Sequence, residues 1–324
     1  MHPCLLLEDV LHEIVPYLDW MYHEACFLDR PLIPHARCPV IAFALTCRTF
    51  YGPAMRVLWE ALEGLAPLLR LFPPGICHQS AGTSGWVFLS LPNNAGWGRF
   101  LFYATFVRKI TIDYIETPES ELRILSLCRR TEHVFPILQA LHWRGSEHAF
   151  PLSALVFFGP RLREVWVYNF PQEVIGGAAV LDAITHACLQ LEELHMEDAQ
   201  DSTLISTALS TAICSMTSLV EIHARECILD PRALLHLAHL PDLRTLWCSV
   251  LSDTDIGTHL NTKIRMKSLK TMKIWTKSHI PMRWSHSSKT RCPNNSKVST
   301  SGWKIPPPHH LYIACSRDLQ STPH

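Results

Sequence analysis

The chain has 324 residues, 48% hydrophobic and 18% charged, a globular balance with ample material for a packed core. Residues 276–324 carry seven Lys/Arg against Asp318 alone, which leaves 22 Lys/Arg against 28 Asp/Glu before them; the body is mildly acidic, without a basic stripe for tracking nucleic acid. No stretch approaches the roughly 20 apolar residues of a membrane span, and Met1–Asp9 lacks the basic flank of a secretory signal, so the twelve cysteines read as reduced thiols of a cytoplasmic or nuclear protein.

In chain order, residues 4–19 place Leu7, Val10, Leu11, Ile14, Val15 and Leu18 at three- and four-residue steps, which predicts a short amphipathic helix. Pro31, Pro34 and Pro39 predict a loop over 22–39. A second helix is expected over Val40–Phe50 and a third from Ala54 to about Leu62, with Pro53 at its first turn. Residues 1–64 thus form a three-helix module, and Leu65–Phe72 is a candidate fourth helix. Residues 65–106 read as linker and lead-in. Pro-Pro-Gly and Ser-Ala-Gly-Thr-Ser-Gly break residues 73–96 before a helix at Trp97–Ala104.

From residue 107 to 275 one phrase governs the chain: Leu, two residues, an aliphatic residue, one residue, then an apolar one. It begins at Leu138, Leu162, Leu191, Leu219, Leu243 and Leu269, with steps of 24, 29, 28, 24 and 26 residues, and Val107–Ile112 is a first, irregular version. Such periods predict a solenoid whose units bury their faces only against neighbours. The segments between phrases have helical spacing over 178–188, 203–216 and 232–238, the last opening on Asp230-Pro231; 253–264 is a weaker helix. Strand-then-helix units put parallel strands on the concave face and helices outside. Residues 276–324 hold nine Ser, six Pro and only six Ile/Leu/Val/Phe, which predicts a disordered basic tail.

Strand side chains alternate, so positions three, five and seven of each phrase point away from the core. Read in order they give Ala140, His142 and Arg144; Glu164, Trp166 and Tyr168; Glu193, His195 and Glu197; Glu221, His223 and Arg225; Thr245, Trp247 and Ser249; and Thr271, Lys273 and Trp275. Arg144, Trp166, Tyr168, His195, Glu197, His223, Arg225, Trp247, Lys273 and Trp275 are therefore expected to form a substrate-binding face, anchored by large aromatics. A register change of one residue would instead send all of them into the core.

Catalytic motifs are near misses. His12-Glu13 and His23-Glu24 lack the second histidine of a zincin helix, no two cysteines lie closer than nine residues, and Gly82-Thr-Ser-Gly85 is one residue short of a nucleophile elbow. The expectation is a non-enzymatic protein with no cofactor and no metal.

Leu45-Thr-Cys47-Arg48-Thr-Phe50-Tyr-Gly-Pro53-Ala54-Met-Arg-Val-Leu58-Trp59 resembles the ending of the F-box in many fungal F-box proteins, and Leu6 through Leu18 resembles its opening, with Leu7 where that family has proline. Trp97-Gly-Arg-Phe100 to Val107-Arg108 is similar to the stretch that opens their repeats. The resemblance implies an α/β protein: a three-helix F-box module followed by a leucine-rich-repeat solenoid. It further implies a substrate-recognition subunit of a Skp–cullin–F-box ubiquitin ligase, in which Leu6, Leu7, Leu11, Ile14, Leu18, Leu45, Phe50, Leu58 and Trp59 dock on the Skp adaptor and the repeats hold a target protein. The alternative is a repeat scaffold whose N-terminal helices only cap the repeats.

Overall fold

The computed structural model describes residues 10–11, 13–17, 39–79, 86–92, 94–112, 122, 125–126, 133–144, 150, 152–168, 170–171, 174–197, 202–251 and 268–277. The expected helix at 253–264 lies outside them, as do Leu6, Leu7 and Leu18 and all of the expected loop (22–39) and tail (276–324) except Pro39, which begins a helix, and Thr276 and Lys277, which end a strand.

Helices α1 (Pro39–Ala44) and α2 (Arg48–Glu60) follow the helical residues 13–17. The second expected helix breaks at Leu45–Cys47, where the Thr46 hydroxyl donates to the Phe43 carbonyl at 2.7 Å. The third begins earlier than expected and runs through Pro53. Proline there costs one i→i−4 bond, set against burial of Phe50, Pro53 and Ala54 in the helix. Val15, Val40, Ala44 and Ala54 form a small separate core, on which Phe43, Met55, Val57 and Leu58 pack.

The helix α2 passes straight into strand β1 (Ala61–Glu63), which the sequence does not announce. Its strand form comes from pairing: Leu62 stands beside Ile110, and Gly64, at φ 83°, turns the chain while its N–H donates to the Thr111 carbonyl at 2.7 Å. After the single turn α3 (Ala66–Leu69), the expected linker contains an antiparallel pair, β2 (Cys77–Gln79) and β3 (Trp86–Phe88). These two strands pair because Cys77 and Trp86 are buried and Phe72 meets Phe88 and Trp97, at 5.6 and 5.5 Å between ring centroids. Helix α4 (Asn94–Ala104) then leads to β4 (Lys109–Ile112).

Six further strands each fall on a phrase: β5 (Ala140–Arg144), β6 (Glu164–Tyr168), β7 (Glu193–Met196), β8 (Glu221–Ile228), β9 (Thr245–Leu251) and β10 (Thr271–Lys277). With β1 and β4 they make one open, eight-stranded sheet in chain order, every neighbouring pair parallel. A single carbonyl accepts two successive N–H groups at the start of each rung. Arg108 O takes Gln139 and Ala140, Gln139 O takes Arg163 and Glu164, and the pattern continues through Arg163, Glu192, Val220 and Arg244. The same bond made repeatedly holds all these strands in one register. That register puts Ile110, Leu141, Val165, Leu194, Ile222 and Leu246 in a line, all fully buried, at about 1.5–3 kcal/mol for each side chain.

Helices α5 (Val174–Ala187), α6 (Thr203–Ser215) and α7 (Pro231–His239) connect later strands and bury Ile184, Ile205, Leu209, Leu234 and Leu237 in the same core. Gly177 allows α5 to lie close: a Cβ there would meet the Phe170 ring and the Pro171 carbonyl at 3.1 Å, a tight contact that those groups would have to ease. The buried hydroxyls of Ser206 and Ser210 accept from the N–H groups of Ile228 and Asp230 at 3.0 Å, so α6 holds the far end of β8. Asp230 caps α7 by accepting from the Ala233 N–H at 2.7 Å. Asp230→Ala is expected to cost about 1 kcal/mol, read as a lower urea midpoint at unchanged slope; an unchanged midpoint would mean the cap carries no stability. Cys188 and Cys248 are buried thiols whose pKa burial pushes up to about 12, which keeps them protonated and inert. No helix among the described residues is long and apolar enough to cross a membrane.

Candidate functional site

The helices cover one face of the sheet, and the opposite face carries the outward positions of each phrase. Alternation is plain on β6, where Val165 and Val167 are buried while Glu164, Trp166 and Tyr168 stay partly exposed. The expected register is therefore the one the chain adopts at these strands.

In-register pairing turns position five of each phrase into a row: His142, Trp166, His195, His223, Trp247 and Lys273. The rings meet one after the next, stacked at every step except His195–His223, where the planes are tilted by 44°. Centroid separations are 4.5 Å for His142–Trp166, 4.3 Å for Trp166–His195, 3.9 Å for His195–His223 and 4.1 Å for His223–Trp247, and the Lys273 ammonium lies 3.9 Å from the Trp247 ring centre. Parallel strands lie about 4.8 Å apart, so planar side chains at equivalent positions come close to stacking distance with little adjustment. Stacking also explains why His142 and His195 are buried, at 4% and 7% exposure, on a face without helices: neighbouring rings cover their faces.

Two residues nearer the start of the strands, a second row holds Glu164, Glu193 and Glu221 side by side. His142 Nε2 meets a Glu164 carboxylate oxygen at 2.6 Å, and this bond holds the Glu164 carboxyl below its usual range. Glu193 is pushed the other way, first by burial and then by the charges of Glu164 and Glu221. Burial lowers His195 to about 4, with His223 adding to the effect, and lowers His223 as well. The Nε2 atoms of His195 and His223 make no hydrogen bond. One donor atom each from His195, His223 and Glu221 lies within 4.8 Å of the others, an arrangement with the donor types to hold a metal ion.

The remaining expected face residues scatter by exposure. Arg144, Glu197 and Arg225 are exposed and Tyr168 is half-buried. Trp275 stands on β10 in register with Ser249, which, like Ala140, was expected to point outward but is buried, its hydroxyl donating to the Arg225 carbonyl. The structure thus brings Trp166, His195, His223, Trp247 and Lys273 together in one row, while Arg144 and Tyr168 stand in register one alternation further along β5 and β6. His142, Glu164, Glu193 and Glu221 belong to the same surface, and the candidate set built on aromatic and cationic anchors left them out. Their signal was present in the sequence as Glu193-Leu-His195 and Glu221-Ile-His223, the same pair in successive phrases.

At the N-terminal module the expected docking residues divide. Leu11 and Phe50 are 1% and 6% exposed, so they do not offer apolar surface: Leu11 is packed away and Phe50 stacks on Phe43 at 4.3 Å. Trp59 packs on the main core and on Tyr103, at 4.5 Å, and Leu58 packs on the small helical core. Ile14 is half-buried, and Leu45 is 77% exposed. Tyr17, Ile41 and Tyr51 add exposed apolar surface on the same helices, at 66%, 38% and 43%.

No family model matches the chain, and no curated protein matches it.

Proposed function

We propose that the protein is a non-enzymatic substrate receptor of a Skp–cullin–F-box ubiquitin ligase, its N-terminal helices docking on the Skp adaptor and its sheet face holding a target protein. In this reading the sheet is a leucine-rich-repeat solenoid and the ligase partners carry out the chemistry. The observation that carries it is the exposure of Leu45, in the turn between α1 and α2, with Tyr17, Ile41 and Tyr51 on helices that already possess a core of their own. Exposed large apolar groups on a small module mark a surface for another polypeptide. The row of stacked rings suits the second role, since aromatic and cationic anchors dominate protein interfaces. The docking set reduces to Ile14, Leu45, Leu58 and Trp59 among the described residues, Leu11 and Phe50 serving the module's own packing.

Co-expression with a Skp adaptor should yield a stable complex. Leu45→Asp should abolish capture with an unchanged melting temperature, because a charge on a side chain already in water costs the fold little. Capture that survives this change, or none by the unaltered chain, overturns the proposal.

A second reading, a scaffold whose helices only cap the repeats, draws on Trp59 packing against the main core and on α2 running directly into β1. It expects no adaptor capture, and unfolding of the sheet when residues 1–60 are deleted.

A further inference from the structure

We propose that His195, His223 and Glu221 form a binding site for a divalent transition-metal ion of the zinc class on the uncovered face of the sheet. His195 and His223 are in register on adjacent strands, and Glu221 precedes His223 by two residues, so the pleat aims all three side chains the same way. Their donor atoms lie within 4.8 Å of one another. A tetrahedral zinc site, with bonds of about 2.0–2.2 Å, needs donors about 3.4 Å apart. Rotation of the longer Glu221 side chain, whose oxygen is 4.0 Å from His223 Nε2, would supply much of that contraction while the stacked rings keep their planes.

The polar atoms point to a ligand. His195 is 7% exposed, yet its Nε2 has no hydrogen bond, and the Glu193 carboxylate is 3.8 Å away. The His223 Nε2 is likewise without a bond, with a Glu221 oxygen 4.0 Å from it. A buried polar atom left unsatisfied is costly, and a neutral imidazole with its proton on Nδ1 presents a lone pair at Nε2 for a metal to accept. The carboxylates of Glu164, Glu193 and Glu221, side by side on three strands, gain from a cation among them; the Lys273 ammonium near His223 opposes it. Trp166 and Trp247 stack on the outer faces of the two imidazoles and fix their planes, as supporting groups do around metal ligands. Two imidazoles and one carboxylate favour zinc, cobalt or nickel over magnesium or calcium, which take oxygen donors. Glu193, with a carboxylate oxygen 3.8 Å from His195 Nε2, is the nearby side chain for a fourth position.

The test titrates the full chain with Zn²⁺ against a chromophoric chelator at pH 7.5 and records the spectrum with Co²⁺. One equivalent should bind, with cobalt d–d bands and no thiolate charge transfer. His223→Gln should weaken zinc binding by at least about tenfold, and Glu221→Gln, on a half-exposed residue, serves if the first variant does not fold. Affinity unchanged in a folded variant, a thiolate band, or no binding by the parent chain overturns the site.

Discussion

Ile222→Asp is expected to abolish cooperative unfolding: its circular dichroism should drift with temperature where the parent chain shows a sigmoidal melt. Ile222 is fully buried on β8 and stands in register between Leu194 and Leu246, themselves fully buried. Helix α6 packs on the same strand, so no rearrangement short of opening the sheet brings water to this side chain. An unpaired carboxylate in such a place must take up a proton or separate the layers, at several kcal/mol. Domains are stable by only about 5–15 kcal/mol. Ile222→Val, which removes one methylene from the same position, should cost about 0.5–1.5 kcal/mol and keep the sigmoid. A cooperative Ile222→Asp melt within a few degrees of the parent would exclude this side chain from the core.

The second large effect is acid lability of the metal-free chain. His195 is lowered to about 4 in the folded protein, whereas an unfolded histidine titrates near 6.5. As pH falls below 6.5 the unfolded chain takes up a proton that the folded chain refuses, so stability is complete above 6.5 and declines through the window down to about 4. His223 is lowered in the same direction. Glu164, held low by its bond to His142, contributes stability above the ordinary carboxylate range and loses it as pH falls further. Glu193 is raised and works in the opposite sense, taking up its proton earlier in the folded state. The net loss between pH 7.5 and 4.5, discounted for the part of the row that water reaches, is about 2 kcal/mol. Urea midpoints measured in the presence of a chelator should therefore fall over this range, and His195→Gln should flatten most of the decline. A profile that is level for the parent chain would count against the stacked, dehydrated row.

Much of the sheet is legible in the sequence because strands β5 to β9 each bury two apolar positions of one phrase, and period two then assigns the opposite face. That is how Trp166 and Trp247 are placed correctly from spacing alone. The strand β1 is not legible: Ala61-Leu62-Glu63 continues a helical stretch, and only pairing with Lys109–Thr111 makes it extended. The β2–β3 pair is too short for its alternation to stand out, and its cause is the aromatic cluster around Phe72. The burial of His195 was equally hidden, because a histidine at an outward position reads as hydrated until Trp166 and His223 are seen to close over its two faces. For Phe50, the apolar periodicity marks a sequestered side but cannot tell an internal partner from an external one; here the partner is Phe43.

The passage of α2 into β1 without an intervening loop has a mechanical consequence. Any load taken up by the helical end enters the hydrogen-bonded ladder directly, with no swivel to dissipate it. Seven inter-strand spacings of about 4.8 Å then separate β1 from β10 by roughly 34 Å. Each position along the row of rings therefore stands a set number of strands from the end that the helices occupy.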